Sequence, residues 1–181
     1  MSFRRLDETE VFRTDLITVA KGTFEAPDGT RFERDVVHHP GAVSMVPVID
    51  TETVIMVRQY RAPVDRWLLE IPAGKRDVHG EPPEETAQRE LIEEIGMRPG
   101  RLQLLAEFFN SPGFCDEHSF SYLALDLEKA EPSAHGIEEA HMTVHHIALD
   151  EVPALIGTGE IVDAKTIIGL MLAREAVRRT P

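Results

Sequence analysis

Apolar residues fall into short runs over the first part of the chain. Residues 16–24 and Arg31–His38 flank the turn signal Ala26-Pro27-Asp28-Gly29, as the two arms of a β-hairpin do. Ala42–Ile49 and residues 53–59 are rich in Val and Ile and are separated by polar Asp50-Thr51-Glu52. A third apolar run, residues 67–71, stops at Pro72.

The texture then changes. Pro82 and Pro83 precede Glu84 and Glu85, and Gly96 follows the last periodic apolar residue, Ile95. Proline in the first turn, acids near the N-terminus and glycine at the end predict a helix over Pro83–Ile95. Strand-like runs resume at residues 103–109, 119–126 and 142–148. Asp150 is placed to cap a short helix ending near Gly157. Asp163 is placed to cap a last helix whose apolar residues include Ile167, Ile168, Met171 and Leu172. Strands, a helix, more strands and then helices predict a mixed α+β or α/β sandwich rather than a regular βα alternation.

Composition narrows the function. The chain has 181 residues, 42% hydrophobic and 28% charged, enough for one domain, or one with a small appendage, with a core that needs no staples. It carries 19 Lys+Arg against 32 Asp+Glu, a formal charge of -13, which disfavours nucleic-acid binding. Any chemistry on phosphates therefore needs divalent cations or a few well-placed arginines. A lone cysteine, Cys115, excludes an internal disulfide and a four-thiolate zinc site. The apolar runs are too short to span a bilayer, and the charged first residues lack a signal-peptide core, so a cytoplasmic protein without membrane contact is expected. Gly157-Thr158-Gly159 misses the dinucleotide fingerprint, because Val162 stands where its last glycine belongs. The adjacent pairs His38-His39 and His145-His146 lie on strand-like runs and point to opposite faces, which suits structural roles.

The chemistry concentrates on the central helix. At about 100° per residue, Ala87, Leu91 and Ile95 share the side that packs on a sheet. Glu90 and Glu94 are neighbours four apart, with Glu93 beside them. The three like charges repel, and Glu93 and Glu94 sit at the helix end whose dipole favours cations. A solvated acidic face is one reading. A carboxylate cage for a hard cation such as Mg²⁺ or Mn²⁺ is the other. Helix energetics alone do not choose.

The wider pattern does. Gly74, Glu81 and then Arg89-Glu90-Leu91-Ile92-Glu93-Glu94-Ile95-Gly96-Met97 resemble the Nudix box. Six residues, 75–80, separate Gly74 from Glu81 where the family pattern has five; the extra one falls in the loop before the helix, where insertion costs little. Val57-Arg58-Gln59-Tyr60-Arg61, Trp67-Leu68-Leu69-Glu70-Ile71-Pro72-Ala73-Gly74, Ser111-Pro112-Gly113-Phe114-Cys115-Asp116-Glu117 and Gly159-Glu160-Ile161-Val162-Asp163-Ala164 are similar to the ADP-ribose pyrophosphatase branch of that superfamily.

The resemblance implies an α/β/α Nudix sandwich with a mixed sheet over residues 41–181, and a small N-terminal antiparallel β domain over residues 1–40 that forms a homodimer. It implies metal-dependent hydrolysis, with Mg²⁺ or Mn²⁺, of a nucleoside diphosphate sugar. ADP-ribose, giving AMP and ribose 5-phosphate, is the first expectation. The alternatives are another sugar nucleotide such as GDP-mannose or UDP-glucose, or a domain that senses ADP-ribose without hydrolysis. Carried over by motif position, Glu90 and Glu94 are the main metal ligands, Glu93 a further ligand or support, and the Ala73 carbonyl an additional one. Arg89 orients a glutamate, and Glu81 steadies the loop–helix junction. Glu139, with Glu138 as understudy, is the carboxylate that helps activate water. Arg61 is expected to clamp a diphosphate, the bland reading being a pair with Asp65 or Glu70. Glu70 accepts from substrate or from Arg61. Pro112 and Gly113 shape a substrate loop, on which Asp116 or Glu117 meets a ribose hydroxyl.

Overall fold

A computed structural model describes residues 2–131 and 140–179. The chain divides into two compact units, one formed by residues 42–107 and 120–181, the other by residues 1–41 and 108–119.

The larger unit is built on a mixed seven-stranded sheet. Its strands are β4 (Ala42–Ile49), β5 (Thr53–Arg61), β6 (Arg66–Glu70), β7 (Ala73–Lys75), β8 (Met97–Phe109), β9 (His118–Lys129) and β10 (Thr143–Ala148). The main path runs β10-β5-β4-β9-β8, with β6 on β5 and β7 on β4. Among the described residues its helices include α1 (Pro83–Ile95), α2 (Val152–Gly157) and α3 (Ala164–Arg178).

The near-continuous apolar run of β4 has a simple cause: both faces of the strand are covered. Val43 and Met45 pack with Ala87 and Leu91 of α1 and with Tyr122 and Ala124. Val46 and Val48 point the other way, into a cluster with Val54, Met56, Ile71, Val152 and Leu170. Two cores, one per face, follow from the period-two alternation of a single strand.

The helix α1 has the bounds its sequence signals predict. Gly96 ends it at φ 64°, a conformation glycine takes without strain, and its N–H returns to the Ile92 carbonyl. Asp163 caps α3, accepting from Thr166 N–H at 2.9 Å. Asp150 does not cap α2. Its carboxylate instead receives Arg178 at 2.8 Å and Arg174 at 3.3 Å, two arginines of α3. Strand β8 begins at Met97, earlier than the apolar pattern suggests, because Pro99 and Gly100 make its first residues read as a loop. Strand β7 is only three residues long, below what a periodic pattern can register.

The smaller unit holds an antiparallel sheet of β1 (Arg4–Arg13), β2 (Thr18–Glu25) and β3 (Arg31–His38) in that order. The β2–β3 hairpin matches its turn signal, with Thr30 N–H donating to Asp28 Oδ1 at 2.9 Å. The preceding strand β1 carries no alternation in sequence. Its register slips between Arg5 and Asp7 and again between Glu10 and Phe12, and each bulge swaps the faces of the residues that follow.

Residues 108–119 belong to this unit. Phe114 and Cys115 N–H groups both donate to the Ser111 carbonyl, making a tight turn. Val37 N–H donates to Phe114 O at 2.7 Å and Asp116 N–H to Val37 O at 3.0 Å, a single parallel bridge to the end of β3. His38 fastens it. Its Nδ1 lies 2.5 Å from Asp116 Oδ2 and its Nε2 2.8 Å from Glu8 Oε1. Carboxylates only accept, so a ring that bonds both is an imidazolium. Asp116 first and Glu8 second hold His38 above its ordinary pKa.

The sign of the linkage follows. A histidine with a raised folded pKa contributes stability that is complete below its unfolded value of about 6.5 and is lost as pH rises through the folded value. Urea unfolding of wild type and His38→Gln should therefore differ most at pH 6 and converge by pH 9. A gap that is constant across that range would assign the difference to packing instead.

Candidate active site

The geometry starts from the two ends of α1. Pro82 offers no side-chain cap, and the Glu81 carboxylate serves the junction instead. It accepts from Thr86 Oγ1 at 2.8 Å and from Arg89 Nη2 at 3.2 Å, and Arg89 first and Thr86 after it hold Glu81 below the usual carboxylate range. Ala87 and Leu91 are fully buried against the sheet, which sets Glu90, Glu93 and Glu94 on the flank of the buried face.

Glu90 is 8% exposed and its carboxyl lies on the backbone of Gly74. A Cβ at Gly74 would stand 1.9 Å from the Glu90 Cδ, so no other residue leaves this seat open. Arg89 Nη1 donates to Glu90 Oε1 at 2.8 Å and to Glu93 Oε2 at 3.1 Å. Glu94 Oε2 accepts from Ala73 N–H at 3.0 Å. Burial pushes the Glu90 carboxyl up to about 7; Arg89 pulls against that and Glu93 adds to it. Burial also works against the Arg89 guanidinium, but Glu81, Glu90 and Glu93 outweigh it and hold Arg89 above its ordinary value.

Among the described residues no three ligating side chains gather on one point. Glu90 is turned to Arg89, and Glu94 to the Ala73 amide. The donor set nonetheless suits a hard divalent cation. It is all oxygen, and its most buried member is partly compensated by one guanidinium that Glu81, Glu93 and, at 3.8 Å, Asp77 share.

Arg61 closes its fork on Glu70, with Nε to Oε1 at 2.8 Å and Nη2 to Oε2 at 2.7 Å. Those two donors, anticipated for a diphosphate, rest on a fully buried carboxylate. Asp65 accepts from Tyr60 OH instead, at 2.6 Å. Asp116 is taken by His38 and by His39 N–H at 2.9 Å, which leaves Glu117 as the acid of that segment not held by His38. Pro112 and Gly113 lie in the turn beside a cavity of about 320 Å³ lined by Phe24, Phe109 and Phe114. Glu138 and Glu139 lie outside the described residues.

Lys165 was missed by sequence reasoning. It donates to Glu70 and, at 2.9 Å, to Asp163. The available signal is its place in the first turn of α3, where the helix dipole disfavours a cation and so points to a buried partner.

The model of the NUDIX domain matches residues 38–167. The chain belongs to the NUDIX family and is a Nudix hydrolase. It is 37% identical over 163 residues to the ADP-ribose pyrophosphatase of Bacillus subtilis (strain 168), covering 90% of this chain and 88% of that protein. It is 43% identical over 146 residues to the ADP-ribose pyrophosphatase of Mycobacterium tuberculosis (strain ATCC 25618 / H37Rv), covering 80% and 70%. A crystal structure of an ADP compounds hydrolase superposes with a TM-score of 0.85 at 24% identity, covering 98% of this chain and 95% of that one, which fixes the fold.

Gly74→Ala tests the seat of Glu90. The added methyl should evict the carboxyl, weaken Mn²⁺ binding by about 10- to 100-fold in calorimetry, and destabilise the fold by about 1–3 kcal/mol. Wild-type affinity in a folded Gly74→Ala protein would separate the Gly74–Glu90 contact from metal binding.

Proposed function

We propose that this Nudix hydrolase cleaves the pyrophosphate of ADP-ribose to AMP and ribose 5-phosphate with a divalent metal. The observation that carries the reading is the buried Glu90, set on Gly74 beside Glu93 and Glu94. The similarity to two ADP-ribose pyrophosphatases supports the substrate.

Glu90 and Glu94 hold the cation in this reading, with Glu93 as a further ligand and the Ala73 carbonyl beside them. A divalent ion bound there neutralises charge on the phosphoryl oxygens and makes bound water more acidic. Arg89 keeps Glu90 and Glu93 in place, at 2.8 and 3.1 Å, and works through them rather than on substrate. Glu139 accepts the proton of the attacking water. Glu117, Pro112 and Gly113 are the substrate-loop residues of this reading. Arg61 faces substrate already oriented by Glu70, which is fully buried and acts on it through Arg61 alone.

A homodimer through residues 1–40 belongs to the same reading. Phe3, Val11 and Phe12 are 66%, 67% and 56% exposed on or beside β1, an edge strand, and a second copy of the chain would cover them. Sedimentation velocity should give the mass of a dimer, and Phe12→Asp should shift it toward monomer; a wild-type monomer at micromolar concentration contradicts the assembly.

A panel of nucleoside diphosphate sugars with Mg²⁺ or Mn²⁺ tests the activity, with Glu94→Gln alongside. Preferential release of AMP from ADP-ribose is expected, reduced by several orders of magnitude in the variant with unchanged circular dichroism. Preference for GDP-mannose or UDP-glucose would discard the substrate. Tight ADP-ribose binding without turnover would make the protein a sensor.

A further inference from the structure

Glu70 is fully buried, and a buried carboxylate is tolerated only when its charge and its lone pairs are both answered. Arg61 supplies two bonds. Lys165, its side chain 14% exposed, supplies a third and also reaches Asp163 Oδ2 at 2.9 Å. Two cations and two carboxylates thus balance within one cluster.

Asp163 is the branch point. It caps α3 by accepting from Thr166 N–H at 2.9 Å, and it accepts from Thr166 Oγ1 at 2.6 Å. Lys165, Thr166 and burial act on it together: burial pushes its carboxyl up, and the Lys165 charge with the Thr166 bonds brings it below its ordinary value. The Thr166 hydroxyl oxygen in turn accepts from Ile71 N–H at 3.1 Å. Two routes therefore run from the start of α3 to adjacent residues of one extended segment. One passes through Lys165 to the Glu70 side chain, the other through Thr166 to the Ile71 amide. That segment continues to Pro72, whose carbonyl accepts from Met45 N–H at 2.9 Å. It then reaches Ala73, whose N–H holds Glu94, and Gly74, on which Glu90 sits.

We propose that Lys165 is a positioning residue of the hydrolytic site: by tying Glu70 to the capped start of α3, it sets where Ala73 and Gly74 meet Glu94 and Glu90. Thr166 shares the task through Ile71. The inference rests on the reading of those glutamates as metal ligands. Lys165 touches neither metal nor substrate. Its effect is geometric, and a displacement of about 1 Å at a reacting centre is enough to cost about 10²-fold.

The test compares wild type, Lys165→Met, Lys165→Arg, Thr166→Val and Glu94→Gln. Each metal-stripped protein is titrated with Mn²⁺ alone by calorimetry, assayed for kcat and KM on ADP-ribose with Mg²⁺, and melted in EDTA. Lys165→Met should weaken Mn²⁺ binding about tenfold at a temperature where it is fully folded, and lower kcat more than it raises KM. Lys165→Arg, which keeps the charge, should recover most of both. Thr166→Val leaves every charge in place and should move Mn²⁺ affinity in the same direction, which keeps the test open if Lys165→Met fails to fold. A lower melting temperature with wild-type Mn²⁺ affinity and kcat would make Lys165 a structural residue and overturn the proposal. Loss in Glu94→Gln with none in Lys165→Met or Thr166→Val overturns this inference alone. Wild-type Mn²⁺ affinity in Glu94→Gln overturns the ligand reading, and this inference with it.

Discussion

One guanidinium makes the acidic end of α1 possible. Glu90 and Glu93 share Arg89 Nη1, and Glu81 takes the other side of the same group. Without it, like charges would crowd the last turns of a helix whose dipole already opposes them. The arrangement is still only partly compensated, since Glu90 stays raised to about 7 with Arg89 in contact. Burial, not the neighbouring charge, dominates that shift. The fold thus keeps a carboxylate where stability alone would place an apolar residue. Carboxylates perturbed in this way cluster at functional sites.

The rest of the larger unit follows from that constraint. Ala87 and Leu91 fix the rotation of α1 by burying themselves against Val43, Met45 and Tyr122. Rotation alone does not seat Glu90; the missing side chain at Gly74 does. Gly96 then turns the chain out of the helix straight into β8. Each of these acts at a different level — packing, close approach, helix termination — and all bear on the same few carboxylate oxygens.

The sequence made this helix legible because its signals are local. Prolines, acids and a terminal glycine give its bounds, and a four-residue spacing gives the shared stripe. The apolar run that forms β4 was readable for the same reason, though not that both its faces are covered. What escaped depends on partners distant in sequence. Strand β1 hides behind two bulges that break alternation. Asp150 resembles a cap, but Arg174 and Arg178 of α3 compete for its carboxylate and win. Arg61 has the form of a phosphate clamp with Asp65 or Glu70 as alternative partners, and the fold selects Glu70. His38 reads as one member of a structural pair, and its two carboxylate partners lie 30 and 78 residues away.

Gathering partly buried Arg61, Lys165 and Asp163 around the fully buried Glu70 does little for stability, since buried ion pairs seldom beat apolar packing of the same volume. What such a cluster supplies is direction. Apolar contacts around Ile71 hold the segment in the core, but they tolerate small slides along it. Hydrogen bonds with fixed partners do not. From Glu70 to Gly74 every residue has one assigned group: a side chain on Arg61 and Lys165, an amide on Thr166, a carbonyl on Met45, an amide on Glu94, and an absent Cβ for Glu90. A one-residue slip would break all of them at once. The glutamates of α1 are therefore aligned against a segment whose own register is specified by β4, by Arg61 of β5 and by the first turn of α3 together.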